Sequence, residues 1–125
     1  MSLRHPLSKA KGLGSAKDGT SHWWNQRLTA IALALLTPWF VVFAVGLIGD
    51  GQDAVRSAIA RPLSATLLSA FVLSLFWHAR LGLQVVVEDY VHGATELVLQ
   101  VVIKFTYALA AIAALLAIGR IVFTA

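Results

Sequence analysis

Three long apolar runs decide what this chain can fold into. They fall at about residues 28–48, 63–87 and 97–123 of a 125-residue chain. A helix rising 1.5 Å per residue needs about 20 mostly apolar residues to cross a hydrocarbon core about 30 Å thick, so each run is long enough to span a bilayer. Only short loops and an N-terminal tail are left over, and no second, soluble domain fits. Composition agrees: the chain is 58% hydrophobic and 13% charged, against about 45–50% apolar residues in soluble domains. The expected fold is all-α, an integral membrane protein with three transmembrane helices.

The formal charge of +4 does not indicate a nucleic-acid binder. Arg4, Lys9, Lys11, Lys17 and Arg27 all precede the first apolar run, whereas a nucleic-acid footprint needs a folded basic face. Basic residues crowded before the first span instead predict a cytoplasmic N-terminus. Residues 1–27 are accordingly expected to be an extended, retained cytoplasmic tail, with no 7 to 15 residue apolar core of the kind a cleaved signal peptide carries. Residues 28–125 form the membrane domain. Cysteine is absent, which rules out disulfides, thiolate nucleophiles and cysteine-held iron–sulfur clusters on this chain.

The three spans differ in what they carry. Trp23 and Trp24 precede the first, where amphipathic rings suit the headgroup boundary, and Gly49-Asp50-Gly51 ends it. Pro38 is expected to kink it, with Thr37 available to satisfy freed backbone groups. Residues 50–61 form a wet loop with room for a short helical turn near Ala54–Ala60, and Pro62 suits the start of the second span. The third span has Ala110, Ala113, Ala114 and Ala117 at three- and four-residue spacings, a pattern that lets another helix approach closely.

The second span holds the chemistry-bearing groups Ser64, Thr66, Ser69, Ser74, His78, Arg80 and Gln84. His78 lies ten residues before Glu88, about 15 Å below the nearer boundary and close to the middle of the hydrocarbon core. A neutral imidazole bonded within or across helices, for instance to Ser74, is one account of it. A ligand role is the other, since intramembrane ionisable residues mark functional sites. Gly82, one turn on, removes a side chain where a flat macrocycle would lie against the backbone. No other histidine falls within a span, so two-histidine ligation of one haem requires a partner chain. Arg80 lies about 12 Å deep, where insertion scales put an arginine at about +2.5 to +3.5 kcal/mol; Gln84 and Glu88 are its local candidate partners. Asp89 and Tyr90 follow in the stretch 88–96, which reads as an acidic loop. There they place a carboxylate beside a phenol, a pair able to bond a carbonyl and relay protons.

Together, HARLGLQVVVEDYVH at 78–92 and NQRLTA at 25–30 resemble the hydrophobic membrane anchor subunits of succinate dehydrogenases, the succinate:quinone oxidoreductases of respiratory complex II. The resembling pattern is a histidine, a glycine four residues later and Asp-Tyr at eleven and twelve; His78, Gly82, Asp89 and Tyr90 match it without a gap. The resemblance implies that His78 is an axial ligand of haem b, the other being supplied by a second anchor subunit of cytochrome b556 type. It implies that Tyr90, with Asp89 beside it, bonds a carbonyl of ubiquinone, and that Arg27 holds haem propionates or orders the pocket, with Gly82 and His22 alongside. It further implies an iron–sulfur subunit and a flavoprotein subunit as partners, a bacterial cytoplasmic (inner) membrane as the location, and catalysis by the assembly, not by this chain alone. Arg27 and Tyr90 are both expected at the cytoplasmic boundary, with His78 deeper. Two features depart from the pattern: Arg80 stands where related anchors carry an aromatic residue, and the tail before Trp23 is long and basic.

Other assignments use the same residues. A fumarate reductase or other b-type respiratory anchor shares the haem and quinone chemistry. A small transporter lining a polar path with His78, Arg80 and Gln84 is opposed by the odd number of spans and the lack of inverted repeats.

Overall fold

The computed structural model describes the backbone from Lys17 and the side chains from Thr20, in each case through to Ala125. Four helices form among these residues: α1 (Lys17–Gly46), α2 (Gln52–Ala60), α3 (Pro62–Tyr90) and α4 (Ala94–Thr124). Among the described residues there are no strands. Three helices are long and apolar enough to cross a membrane, at Thr20–Gly46, Pro62–Tyr90 and Ala94–Thr124. At 1.5 Å per residue, the 29 residues of α3 reach about 43 Å, the thickness of a bilayer with its headgroups. The second and third spanning helices, α3 and α4, extend past both ends of the apolar runs that announced them, and α1 extends past the start of its run while ending at Gly46, two residues short of Ile48.

The largest extension is at α1. Lys17–Gln26, expected to be extended tail, are helical; the rest of the expected tail, residues 1–16, lies outside the described residues. A polar segment continues a membrane helix without cost once it leaves the hydrocarbon, because water and headgroups accept its side chains while the backbone stays internally bonded. α1 also continues through Pro38 as one element. At the other end of α3, Asp89 and Tyr90 belong to the last helical turn and not to a loop. The expected loop 88–96 contracts to residues 91–93.

Two glycines make the turns. Gly49 closes α1 at φ 89°, and Gly93 joins α3 to α4 at φ 78° and ψ −151°. The Gly93 conformation is essentially closed to residues with a Cβ, at a cost of about 1–3 kcal/mol. Gly93→Ala is therefore expected to lower the thermal unfolding midpoint of the detergent-solubilised protein; an unchanged midpoint would contradict this account of the turn.

The spanning helices stand in a row. α3 is in the middle, packed on α1 along one side and α4 along the other, and α1 and α4 make no contact among the described residues. Phe40 of α1 stacks on Phe71 of α3 with ring centroids 4.4 Å apart, while Phe76 of α3 meets Tyr107 of α4 edge-on at 6.0 Å. Gln100 of α4 donates from Nε2 to the Gln84 carbonyl at 3.3 Å. The short helix α2 closes the end opposite Tyr90, where Arg56 donates to Thr124 Oγ1 at 3.0 Å. Of the four alanines expected to pack, Ala110 and Ala114 are half-buried and Ala113 and Ala117 exposed.

A row buries little. Among the described residues only Phe71, Leu81, Val87, Ile103 and Ile118 are buried, all from α3 and α4. α1 contributes none, and its Leu35 and Val42, with Ile48 just beyond its end, are each more than 70% exposed. In a bilayer such surfaces are satisfied by lipid tails or another helix, because apolar burial gives no net drive where the solvent is itself apolar.

Candidate functional site

α1 runs antiparallel to α3 and carries a row of polar side chains from the His78 level toward the Tyr90 end. His22, Asn25, Gln26 and Thr29 follow one another at helical spacings, so they share one face of α1, and all four are half-buried. Thr29 Oγ1 lies 3.0 Å from His78 Nδ1, which makes Thr29 the partner of the imidazole in place of the expected Ser74. The same hydroxyl lies 2.8 Å from the Asn25 carbonyl and 3.1 Å from the Gln26 carbonyl. Nε2 of His78 has no hydrogen-bond partner among the described residues. His22 Nε2 and Gln26 Oε1 are shut off from solvent without a partner, an arrangement that normally signals an absent ligand, water or neighbouring chain.

His78 sits twelve residues from the Tyr90 end of α3, about 18 Å, and sixteen from Pro62, about 24 Å. That is near mid-membrane, as its place in the apolar run indicates. One turn on, a Cβ at Gly82 would meet nothing within 4 Å, as at the other described glycines, so the surface beside His78 is open. No cluster of three metal-ligating side chains forms among the described residues. His78 can therefore offer a single nitrogen to a metal. One histidine nitrogen at an open surface fits a haem approached from one side and completed by another chain.

The other expected site residues are placed differently. Arg27 is not level with Tyr90. It is two residues from Thr29, hence about 3 Å along the axis and about 160° round the helix, on the face of α1 turned away from α3. Its guanidinium reaches back over Trp23, 5.4 Å from the ring centroid, in the direction that helical side chains lean. Tyr90 is 82% exposed and Asp89 exposed beside it, about 18 Å from the His78 level. The structure thus joins Thr29 to His78, places His22 about 10 Å along the same face of α1 from Thr29, leaves Arg27 on the outer face, and sets Asp89-Tyr90 apart at the helix end.

Arg80 does not keep its expected local partners. Gln84 Nε2 donates to Glu88 Oε1 at 2.8 Å, and Arg80 instead shares a groove of about 280 Å³ between α3 and α4 with Trp77, Lys104 and Tyr107. Thr29 and Gln26 are the site residues that sequence reasoning misses. Their signal is the helical spacing from His22, invisible when residues 17–26 are read as extended.

Comparison with known proteins agrees with a membrane-embedded chain. Residues 1–119 match the family described as succinate dehydrogenase/fumarate reductase transmembrane subunit. The succinate dehydrogenase hydrophobic membrane anchor subunit of Paracoccus denitrificans is 32% identical over 117 residues, covering 91% of each chain. That of Rickettsia bellii is 38% identical over 89 residues, covering 71% of each, and the succinate dehydrogenase membrane anchor subunit of Reclinomonas americana is 38% identical over 80 residues, covering 62% of this chain and 67% of its own. No solved structure matches. The family match spans nearly the whole sequence and the chain is built as three membrane-crossing helices, so it belongs to the family of succinate dehydrogenase and fumarate reductase transmembrane anchor subunits.

Proposed function

We propose that this chain anchors a succinate dehydrogenase in the bacterial inner membrane, gives one axial ligand to a haem b and forms part of a ubiquinone site. Its N-terminus faces the cytoplasm, which puts Tyr90 on that side, where the flavoprotein and iron–sulfur subunits bind. The observation that carries the haem assignment is the His78 imidazole, near mid-membrane, with Nδ1 engaged by Thr29 and Nε2 unpartnered beside an open surface.

A second anchor subunit of cytochrome b556 type would cover the open side and give the iron its other protein ligand. When bound, the haem supplies a one-electron site between the iron–sulfur chain and the membrane. The residues of this chain do the rest. His78 Nε2 would hold the iron and Gly82 would keep the adjoining surface flat; Arg27, now over Trp23 on the outer face of α1, would have to swing off that ring to give a cation to the propionates.

At the quinone, Tyr90 O–H donates to a carbonyl, and exposed Asp89 accepts and returns protons from the aqueous side. A phenol and a carboxylate at the end of a spanning helix suit two-proton reduction of a quinone that arrives through the lipid. Succinate oxidation itself belongs to the flavoprotein subunit, so this chain alone is inactive.

Affinity purification through a tag on this chain tests the assignment. The expected result is co-isolation of a flavoprotein, an iron–sulfur subunit and a second hydrophobic subunit, with succinate-dependent quinone reduction. Isolation of this chain in a complex without a flavoprotein would overturn it.

A further inference from the structure

The geometry points to Thr29 as the residue that fixes the tautomer and orientation of the His78 imidazole. This inference rests on the haem-ligand assignment of His78 and deepens it, adding a positioning residue on another helix.

Three contacts meet at one hydroxyl. Thr29 Oγ1 is 2.8 Å from the Asn25 carbonyl, 3.1 Å from the Gln26 carbonyl and 3.0 Å from His78 Nδ1. A threonine hydroxyl has one hydrogen and two acceptor lone pairs, and a carbonyl has no hydrogen to give. All three contacts are hydrogen bonds only if the Thr29 hydrogen is shared between the two carbonyls and Nδ1–H of His78 donates to Oγ1. A hydroxyl that donates back to its own helix is a common habit of threonine. Here it leaves the oxygen acceptor-only toward α3.

The consequence falls on the opposite side of the ring. A neutral imidazole with its proton on Nδ1 carries its lone pair on Nε2, the nitrogen that has no partner among the described residues. A ligating histidine normally donates its other N–H to an acceptor that holds the ring and raises its basicity. The relay N–H to hydroxyl to carbonyl is also polarised in one direction, each bond strengthening the next. Because Thr29 is on α1 and His78 on α3, the bond additionally ties the ligand's rotamer to the packing of these two helices. His22 Nε2 and Gln26 Oε1, on the same face of α1, bond to nothing among the described residues, which leaves this task to Thr29.

The test compares Thr29→Val, Thr29→Ala and Thr29→Ser with His78→Ala in the assembled, membrane-extracted complex, following haem content, the haem midpoint potential and the electron paramagnetic resonance of the oxidised haem. Valine keeps the shape of threonine and removes the acceptor; alanine removes it with less bulk, in case valine disturbs the helix contact. In both, haem affinity is expected to fall about ten- to hundred-fold, the range for lost partners of metal ligands, so that part of the haem is lost on extraction, and the potential of the haem that remains to rise as the imidazole becomes a weaker donor. Thr29→Ser is expected to restore both. Wild-type haem content, potential and resonance in Thr29→Val or Thr29→Ala, with haem lost in His78→Ala, would overturn the role of Thr29 alone. Unaltered haem in His78→Ala would overturn the ligand assignment beneath it.

Discussion

His78→Ala is expected to remove the b-type absorbance change from the purified complex, with haem affinity falling by more than the roughly ten- to hundred-fold that the loss of a supporting partner costs. On the proposed ligation, the substitution deletes one of the two iron ligands and puts a methyl group in its place. Its cost to the chain's own fold is small by comparison. A cross-helix hydrogen bond in a membrane averages about 0.6 kcal/mol, and the bond lost is the one between Thr29 and the imidazole. The α1–α3 contact keeps the stacked pair Phe40 and Phe71. Loss of haem without loss of the subunit is therefore the expected outcome, checked by reduced-minus-oxidised spectra and by subunit stoichiometry of the same preparation. A full haem spectrum in the variant would remove His78 from the site.

Tyr90→Phe is expected to lower ubiquinone reduction about a hundred-fold while succinate oxidation with an artificial acceptor stays close to wild type. Positioned proton donors contribute about 10²- to 10⁴-fold in general acid–base steps, and phenylalanine removes the phenolic proton while keeping the ring. Because Tyr90 is 82% exposed at the end of α3, the substitution disturbs no buried packing, so a folding defect does not compete with the chemical one. Steady-state rates with each acceptor check it. Equal retention of both activities would show that the phenol takes no part in quinone chemistry.

The three crossings are legible in the sequence because a run of apolar residues about 20 long has few fates outside a bilayer. Their ends are less so. Hydropathy sees the hydrocarbon core, whereas a helix that carries its backbone hydrogen bonds with it continues into the headgroups. That is why Lys17–Gln26 and Asp89-Tyr90 resemble tail and loop in sequence and are helical in the structure. His78 stands out as a lone mid-span histidine. Thr29 does not, because a hydroxyl in a membrane helix satisfies itself on its own backbone and gives no sign of a second partner 49 residues away in sequence. The row of helices is also hidden: apolar on nearly all sides, α1 and α4 do not announce which face meets α3. The expected partners of Arg80 fail for a local reason, since Gln84 and Glu88 one turn apart satisfy each other.

Near-infrared magnetic circular dichroism of the oxidised wild-type complex, isolated through this chain, reports the axial ligands of the iron and so decides whether His78 is one of them. The account predicts a low-spin haem b with two imidazole ligands, one of them lost in His78→Ala. A histidine–methionine signature, a high-spin iron, or a complex with no haem would contradict it.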